Sequence, residues 1–113
     1  MTIYGIKNCD SVKKAMKYFK NADLEYDFVD FKLNPVDDEK ISFWLKHQNI
    51  DTLFNARSTT YRNLKLKELG LSDEEKAEWL AKENVLIKRP VIEHGGKVLV
   101  GFNQDDYDEF FKL

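Results

Sequence analysis

Residues 5–15, GIKNCDSVKKA, join a predicted strand to a predicted helix and contain the only cysteine of the 113-residue chain, Cys9. The preceding residues, Thr2–Ile6, are rich in β-branched and aromatic side chains and favour a short strand. From about Asp10, apolar residues recur at i, i+3, i+4 and i+7, which is typical of a helix with one buried stripe. The members of that stripe are Val12, Ala15, Met16 and Phe19. This spacing predicts that Cys9 lies at the start of a helix.

The middle of the chain changes from strand to helix. The segment EYDFVDFKL, Glu25–Leu33, predicts a second strand that is buried on both faces. Asp37 is a suitable N-cap for a second helix. The residues that follow have the spacing of helices with breaks, and they show no strand alternation. We therefore expect a helical insert over about residues 37–84.

The last third of the chain, which begins VLIKRPVIEHGGKVLVGF at Val85, predicts two strands joined by the Gly95-Gly96 turn. The return strand runs over Lys97–Val100, and Asn103 caps a final helix. The first two strands are joined by a helix and should be parallel, whereas the last two form an antiparallel hairpin. The order β-α-β, helical insert, β-β-α predicts an α/β protein with a thioredoxin-like fold. We expect one domain over residues 1–113.

The charge balance of the chain is close to even. There are 18 lysines and arginines against 20 aspartates and glutamates, which gives a net charge of −2. This balance argues against a broad surface for direct nucleic-acid binding. No apolar run is long enough to cross a membrane, and the first residues lack the pattern of a secretory signal. Because a single cysteine also excludes an internal disulfide, we expect a reducing compartment, most simply the cytoplasm. We also expect the protein to be a monomer.

Two interpretations of Cys9 stay open at this stage: a small apolar residue without a chemical role, or a reactive thiolate. Backbone N–H groups at a helix start lack partners and carry partial positive charge, which favours the ionised sulfur, and Lys7 adds a cation. Asn8 and Asp10 are polar neighbours, as expected of an exposed loop. We therefore include Asn8 and the cation Lys7 with Cys9 in the candidate site. Position 12, where a C-x-x-C protein has its second cysteine, is Val12. A reactive Cys9 therefore needs an external thiol to complete a cycle.

Arginine is rare in this chain: the only arginines among its 18 cationic side chains are Arg57, Arg62 and Arg89. A guanidinium binds a carboxylate or an oxyanion with two parallel hydrogen bonds, which an ammonium group does not. We expect Arg57 and Arg89 to reach an anion near Cys9, and Arg62 to be an ordinary surface residue. Pro90 directly precedes a predicted strand and is a candidate for a cis peptide bond.

The sequence predicts no metal site. Its one cysteine and its two histidines, His47 and His94, lack the spacing of metal ligands. The chain also lacks a phosphate-binding glycine loop and a nucleophile-elbow serine. We expect no bound cofactor.

Four motifs occur in order along the chain: YGIKNCD at residues 4–10, FNARSTTYR at 54–62, IKRP at 87–90 and LVGF at 99–102. Together they resemble the arsenate reductase (ArsC)/Spx family, and within it the small YffB-type, arsenate reductase-related branch. The resemblance covers essentially the whole chain. It implies a thioredoxin-like fold with a helical insert in a cytoplasmic protein.

The resemblance also implies roles for single residues. Cys9 matches the redox-active cysteine of the family. Arg57 and Arg89 match two arginines that bind oxyanion or glutathione in glutathione-dependent arsenate reductases, and Pro90 matches the cis-proline. Those reductases carry a third arginine just before the last helix, where this chain has Gly101. An arsenate adduct would therefore lose one of its charge partners.

These observations lead to two expectations for function. The first is a monothiol oxidoreductase in which Cys9 is the nucleophile, glutathione or a glutaredoxin is the reductant, and glutathione serves as a co-substrate. The second is an Spx-like regulatory module that binds RNA polymerase without catalytic turnover. Spx-type regulators usually carry C-x-x-C, and Val12 interrupts that motif.

Overall fold

The computed structural model describes residues 1–112. It contains two compact units: the first unit is Met1–Asp30 together with Arg89–Leu113, and the second unit is Phe31–Lys88. The single-domain organisation stays a prediction. Among the helices formed by residues 1–112, none has both the length and the apolar character needed to cross a bilayer.

The order of elements along the chain confirms the α/β, thioredoxin-like fold with helices inserted between the second and third strands. The strands are β1 (Thr2–Gly5), β2 (Asp27–Asp30), β3 (Val91–His94) and β4 (Lys97–Val100). The α-helices are α1 (Asp10–Asn21), α2 (Asp38–Leu45), α3 (Ile50–Leu53), α4 (Thr59–Asn63), α5 (Asp73–Lys82) and α6 (Gln104–Phe111). Short 3₁₀ helices cover Leu66–Leu69 and Asn84–Leu86.

The first unit is built on a four-stranded sheet with the spatial order β2-β1-β3-β4. As predicted, β1 and β2 are parallel and are joined by α1, while β3 and β4 form an antiparallel hairpin. The central pair, β1 and β3, is antiparallel. The C-terminal end of β1 therefore lies beside the N-terminal start of β3.

The prediction for β2 was wrong in length and in burial. The strand covers Asp27–Asp30, whereas the sequence suggested Glu25–Leu33. It is an edge strand, and its residues are exposed or half-buried. An edge strand has a partner on one side only, so hydrophobic alternation along it overstates how deeply it is buried. Phe31 is buried, but it lies beyond the strand.

One row of cross-strand neighbours forms the face of the sheet that the helices of the first unit cover. In the strand pairings, Ile3 lies between Phe28 and Ile92, and Ile92 pairs with Leu99. The helix residues that pack with this row are Ala15 and Phe19 of α1 and Tyr107 of α6. Burial of this apolar surface holds α1 against the sheet and thereby fixes the position of its first turn.

A hydrogen bond links the two helices of this unit. The hydroxyl of Tyr18 on α1 donates to the carboxylate of Asp108 on α6 over 2.5 Å. The Tyr18 ring also lies edge-on to Tyr107, with ring centres 5.3 Å apart. Burial, the hydrogen bond and the charge of Asp108, in that order, raise the pKa of Tyr18 to about 12. The neutral phenol is therefore the form that stabilises this contact.

The second unit contains a buried polar residue, Asn84, which follows α5 and is 9% exposed. Its Oδ1 accepts from the N–H of Val36 at 2.7 Å, and its Nδ2 donates to the carbonyls of Val36 at 3.2 Å and Leu80 at 2.8 Å. These bonds satisfy the side chain and tie the segment before α2 to the end of α5.

We expect the stability of the protein to fall between pH 10 and about 12, in part because of Tyr18. The unfolded chain loses the tyrosine proton near pH 10, whereas the folded protein holds it to about pH 12. The stabilisation is therefore complete below pH 10 and is lost as the pH rises through this interval. In Tyr18→Phe, the free energy of unfolding should depend less steeply on pH there, as measured by urea unfolding at a series of pH values.

Asp108→Asn is the matched control for this prediction. It removes the charge but leaves the burial, which is the largest cause of the shift, so the pH dependence should flatten less than in Tyr18→Phe. An unchanged slope in Tyr18→Phe would show that this tyrosine does not contribute to alkaline unfolding.

Candidate functional site

Cys9 is the N-cap residue of α1. Its backbone is extended, with φ −129° and ψ 124°, and its carbonyl accepts the N–H of Lys13 at 3.0 Å. The thiol makes no side-chain capping hydrogen bond and is half-buried. The sequence prediction that Cys9 lies at the start of a helix is therefore confirmed.

The start of α1 differs from that of the other five α-helices formed by residues 1–112. Each of those begins with a residue whose side-chain oxygen accepts a hydrogen bond from the backbone N–H three residues later. These caps are Asp37, Asn49, Ser58, Ser72 and Asn103. Among them, Asp37 and Asn103 confirm the caps named in the sequence analysis. At α1 the N-cap residue is Cys9, and the first-turn N–H groups lack such a side-chain cap. This arrangement suits an anion, including a thiolate, at the helix start.

The end of β1 and the first turn of α1 approach each other closely at Gly5. A Cβ atom added to Gly5 would lie 2.7 Å from Cγ2 of Val12, a distance that real Cβ atoms essentially never show. Val12 is fully buried. The Val12 side chain therefore packs tightly against Gly5, at the start of the loop that carries Cys9. Because this residue is valine, it provides no second thiol.

Pro90 and Gly101 lie at the same end of the sheet as this loop. Tyr4 of β1 pairs with Val91, the residue after Pro90. The Arg89–Pro90 peptide bond is cis, as the sequence suggested. The N–H of Gly101 donates to the carbonyl of Pro90 at 2.8 Å, which extends the β3–β4 pairing by one bond.

Gly101 also accepts a hydrogen bond from a buried tyrosine. The hydroxyl of Tyr107, which is 1% exposed, donates to the Gly101 carbonyl at 2.6 Å. Gly101 has φ +81°, in the left-handed region that favours glycine. Sequence reasoning did not find this bond. The only available signal was the presence of a hydroxyl in an otherwise apolar inward face.

The structure places the remaining predicted residues in different units. Lys7 and Asn8 are exposed in the loop before Cys9, and Arg89 is half-buried beside Pro90 in the first unit. Arg57 belongs to the second unit. The approach of either arginine to an anion at the thiol stays a prediction.

Arg57 lies in a turn with defined backbone geometry. Its N–H donates to Oδ1 of Asn55 at 3.1 Å, and the N–H of Asn55 donates to the carbonyl of Leu86 at 2.8 Å. The guanidinium group is on an exposed residue directly before Ser58, the cap of α4. Arg62 is also exposed, and its Nη2 lies 3.5 Å from Oγ1 of Thr59.

The described part of the chain forms no candidate metal site. Within residues 1–112, no group of three or more histidine, cysteine, aspartate or glutamate side chains is placed to hold a metal ion.

The profile of the ArsC family matches residues 4–110, from the end of β1 through the Cys9 loop to most of α6. The chain belongs to the ArsC family. An uncharacterised protein of Haemophilus influenzae is 39% identical over 112 residues, which cover 98% of both chains. The global transcriptional regulator Spx of Listeria innocua is 25% identical over 97% of this chain and 86% of its own length.

Solved structures support the same family placement. The structure of a YffB protein has a TM-score of 0.89 and 36% sequence identity, and it covers 96% of both chains. An arsenate reductase (ArsC) related protein from Brucella melitensis has a TM-score of 0.76 and 36% identity, over 99% of this chain and 94% of its own. The thioredoxin-like fold of this ArsC chain is therefore shared with these relatives over at least 96% of its length.

We expect Gly5→Ala to lower the free energy of unfolding by about 1–3 kcal/mol, since the new methyl group collides with Val12. Val12→Ala removes the methyl groups with which the new Cβ of residue 5 collides. Gly5→Ala should therefore lower the free energy of unfolding less in the Val12→Ala background. A double-mutant cycle measured by urea unfolding isolates this coupling. Additive losses in the double variant would show that the close approach does not constrain the loop.

Proposed function

We propose that this ArsC-family protein is a monothiol oxidoreductase that uses Cys9 as its nucleophile and glutathione or a glutaredoxin as its reductant. The observation that carries the proposal is the position of the thiol at the uncapped start of α1. There the backbone dipoles favour the thiolate, which is the reactive form of cysteine. Lys7, an exposed cation two residues earlier, adds to the same effect.

The reaction that fits a lone thiol is thiol–disulfide exchange. The Cys9 thiolate attacks one sulfur of a disulfide between glutathione and a substrate thiol. The old S–S bond breaks, the substrate leaves as a thiolate that takes a proton from water, and glutathione stays bound to Cys9 through a new S–S bond. A second glutathione thiolate then attacks the bound glutathione sulfur, which releases the Cys9 thiolate and glutathione disulfide.

The absence of a second cysteine makes the external reductant necessary. Cys9 is the only cysteine in the sequence, and the buried Val12 occupies the position of a resolving thiol. In a C-x-x-C protein the second cysteine can attack and break a mixed disulfide at the first. A mixed disulfide at Cys9 can be broken only by a thiol from another molecule. Glutathione is abundant in a reducing compartment such as the cytoplasm, where we place the protein.

Arg57 and Arg89 are the residues that we propose for binding the anionic part of glutathione. Glutathione carries two carboxylates, and a guanidinium pairs with a carboxylate through two parallel hydrogen bonds. The third cation expected for an arsenate reductase is missing, because that position is Gly101. We therefore favour a disulfide sulfur over arsenate as the centre that Cys9 attacks.

Protein purified without added reductant should carry a glutathione adduct on Cys9, as detected by mass spectrometry. Cys9→Ser should abolish glutathione-dependent reduction of a glutathionylated peptide. Arg57→Gln or Arg89→Gln should raise KM for glutathione about tenfold, the effect of one lost charge-assisted pair.

Arg62→Gln is the matched control, because Arg62 is an exposed arginine outside the proposed site. A similar rise of KM in this variant would show a general effect of charge. Retained turnover in Cys9→Ser would contradict the proposal that Cys9 is the nucleophile.

A second candidate function is supported by the similarity to Spx and to the regulatory protein MgsR of Bacillus subtilis, which is 28% identical over 91% of this chain. In this alternative the protein is a regulatory module that binds RNA polymerase, and Cys9 has no catalytic role. The expected result is that immobilised protein retains the C-terminal domain of the α polypeptide of RNA polymerase, with equal binding by wild type and Cys9→Ala. Loss of thiol-dependent turnover in Cys9→Ala without any polymerase binding would exclude the alternative.

A further inference from the structure

A surface cleft of about 670 Å³ lies at the last turn of α1 and the segment that follows it. Its lining consists of Met16, Lys17, Lys20, Asn21, Leu24 and Tyr26. Three of these, Met16, Leu24 and Tyr26, are half-buried and pack inward on the core of the first unit, so they form an apolar floor. Lys17 and Lys20 are exposed and form a cationic rim.

The rim of the cleft continues along α1 to the thiol. Cys9, Lys13, Lys17 and Lys20 occupy positions i, i+4, i+8 and i+11, which follow one line along a helix surface. At about 1.5 Å per residue, this line extends roughly 16 Å from Cys9 to Lys20. We call it the lysine track. Its three lysines are exposed.

The lysine track is positively charged although the protein carries a net charge of −2. Among residues 1–112, the lysines of the track have no carboxylate within ion-pair distance. Their charge is therefore available to a partner, and the cleft at the far end of the track can take an apolar side chain of the same partner.

From this arrangement we infer that α1 docks an acidic segment of a partner protein, with one apolar side chain in the cleft and a disulfide sulfur at Cys9. The inference rests on the proposed function of Cys9, and it specifies the substrate class: a disulfide flanked by acidic residues and followed by an apolar anchor. Complementary charge steers such a segment to the track, and the apolar contact sets its register.

Two features favour a protein segment over nucleic acid. The apolar floor of the cleft suits an aliphatic or aromatic side chain. Beside it, a second cleft shares Leu24 and Tyr26 but is also lined by Glu25 and Asp27, both exposed acids. A phosphate backbone that continued past Lys20 would meet these carboxylates, whereas a short peptide ends before them.

The test uses a hexapeptide amide with an N-terminal cysteine carrying a 2-pyridyl disulfide, four acidic residues and a C-terminal phenylalanine. Extended residues add about 3.3 Å each, so the peptide spans the track. The Cys9 thiolate attacks the peptide sulfur, and 2-thiopyridone leaves and is followed by its absorbance. Each rate is divided by the rate with neutral 2,2′-dipyridyl disulfide, which corrects for the intrinsic reactivity of the thiol.

We expect the acidic peptide to react about tenfold faster than its lysine analogue at low salt, and the ratio to fall as salt is raised. Replacement of phenylalanine by serine should reduce the normalised rate. Lys17→Glu combined with Lys20→Glu should remove the preference for the acidic peptide. Lys46→Glu combined with Lys67→Glu, an equal charge change at exposed residues of the second unit, should retain it.

Equal normalised rates for the acidic and basic peptides in wild-type protein would overturn the inference. A preference lost equally in both double variants would also overturn it, because net charge alone would then explain the rates. So would competition by a thymidine dodecamer as strong as that by a disulfide-free acidic peptide, which would indicate a general polyanion surface. Failure of the proposed function gives a different result: Cys9 would react with dipyridyl disulfide no faster than free cysteine.

Discussion

The contact between Gly5 and Val12 is the constraint on which the thiol site depends. It allows strand β1 to pass into helix α1 with the strand backbone almost touching a buried side chain. The three residues between β1 and Cys9 then have little freedom, and Cys9 becomes the residue at which the helix begins. A larger residue at position 5 would push the helix away from the sheet. The location of the sulfur thus follows from a packing requirement of the backbone.

Helix α1 has one side buried in the core and one side exposed to solvent, and the two sides have different roles. Its inner side, with Ala15 and Phe19, belongs to the core that also contains Ile3 and Tyr107. Its outer side carries the lysine track, which leads to the thiol. A rigid element with one face fixed by the core can present charges to a partner at little cost in conformational entropy. The same helix therefore supports the electrostatics of the sulfur at one end and the recognition of a partner at the other.

The sequence predicted those features that depend on local chemistry. The spacing of Val12, Ala15 and Phe19 predicts α1, and Asp37 and Asn103 mark the helices that they cap. Such signals act within one or two turns of chain, where competition from distant residues is weak.

Features that depend on distant partners were not predictable in the same way. The position of β2 at the sheet edge is decided by which strand pairs with β1, so its alternating residues gave a false impression of full burial. The bonds from Tyr18 to Asp108 and from Tyr107 to Gly101 join residues that only the fold or a specific turn brings together.

The turn at Gly101 limits how this lineage could acquire a different chemistry. A residue with a Cβ atom at φ +81° is strained by roughly 1–2 kcal/mol relative to glycine. An arginine introduced there by a simple codon change would start with that penalty and would strain the backbone that holds both the Pro90 and the Tyr107 hydrogen bonds. An arginine at position 101 would therefore carry a conformational cost that glycine does not, and this cost falls on the turn that joins β4 to α6.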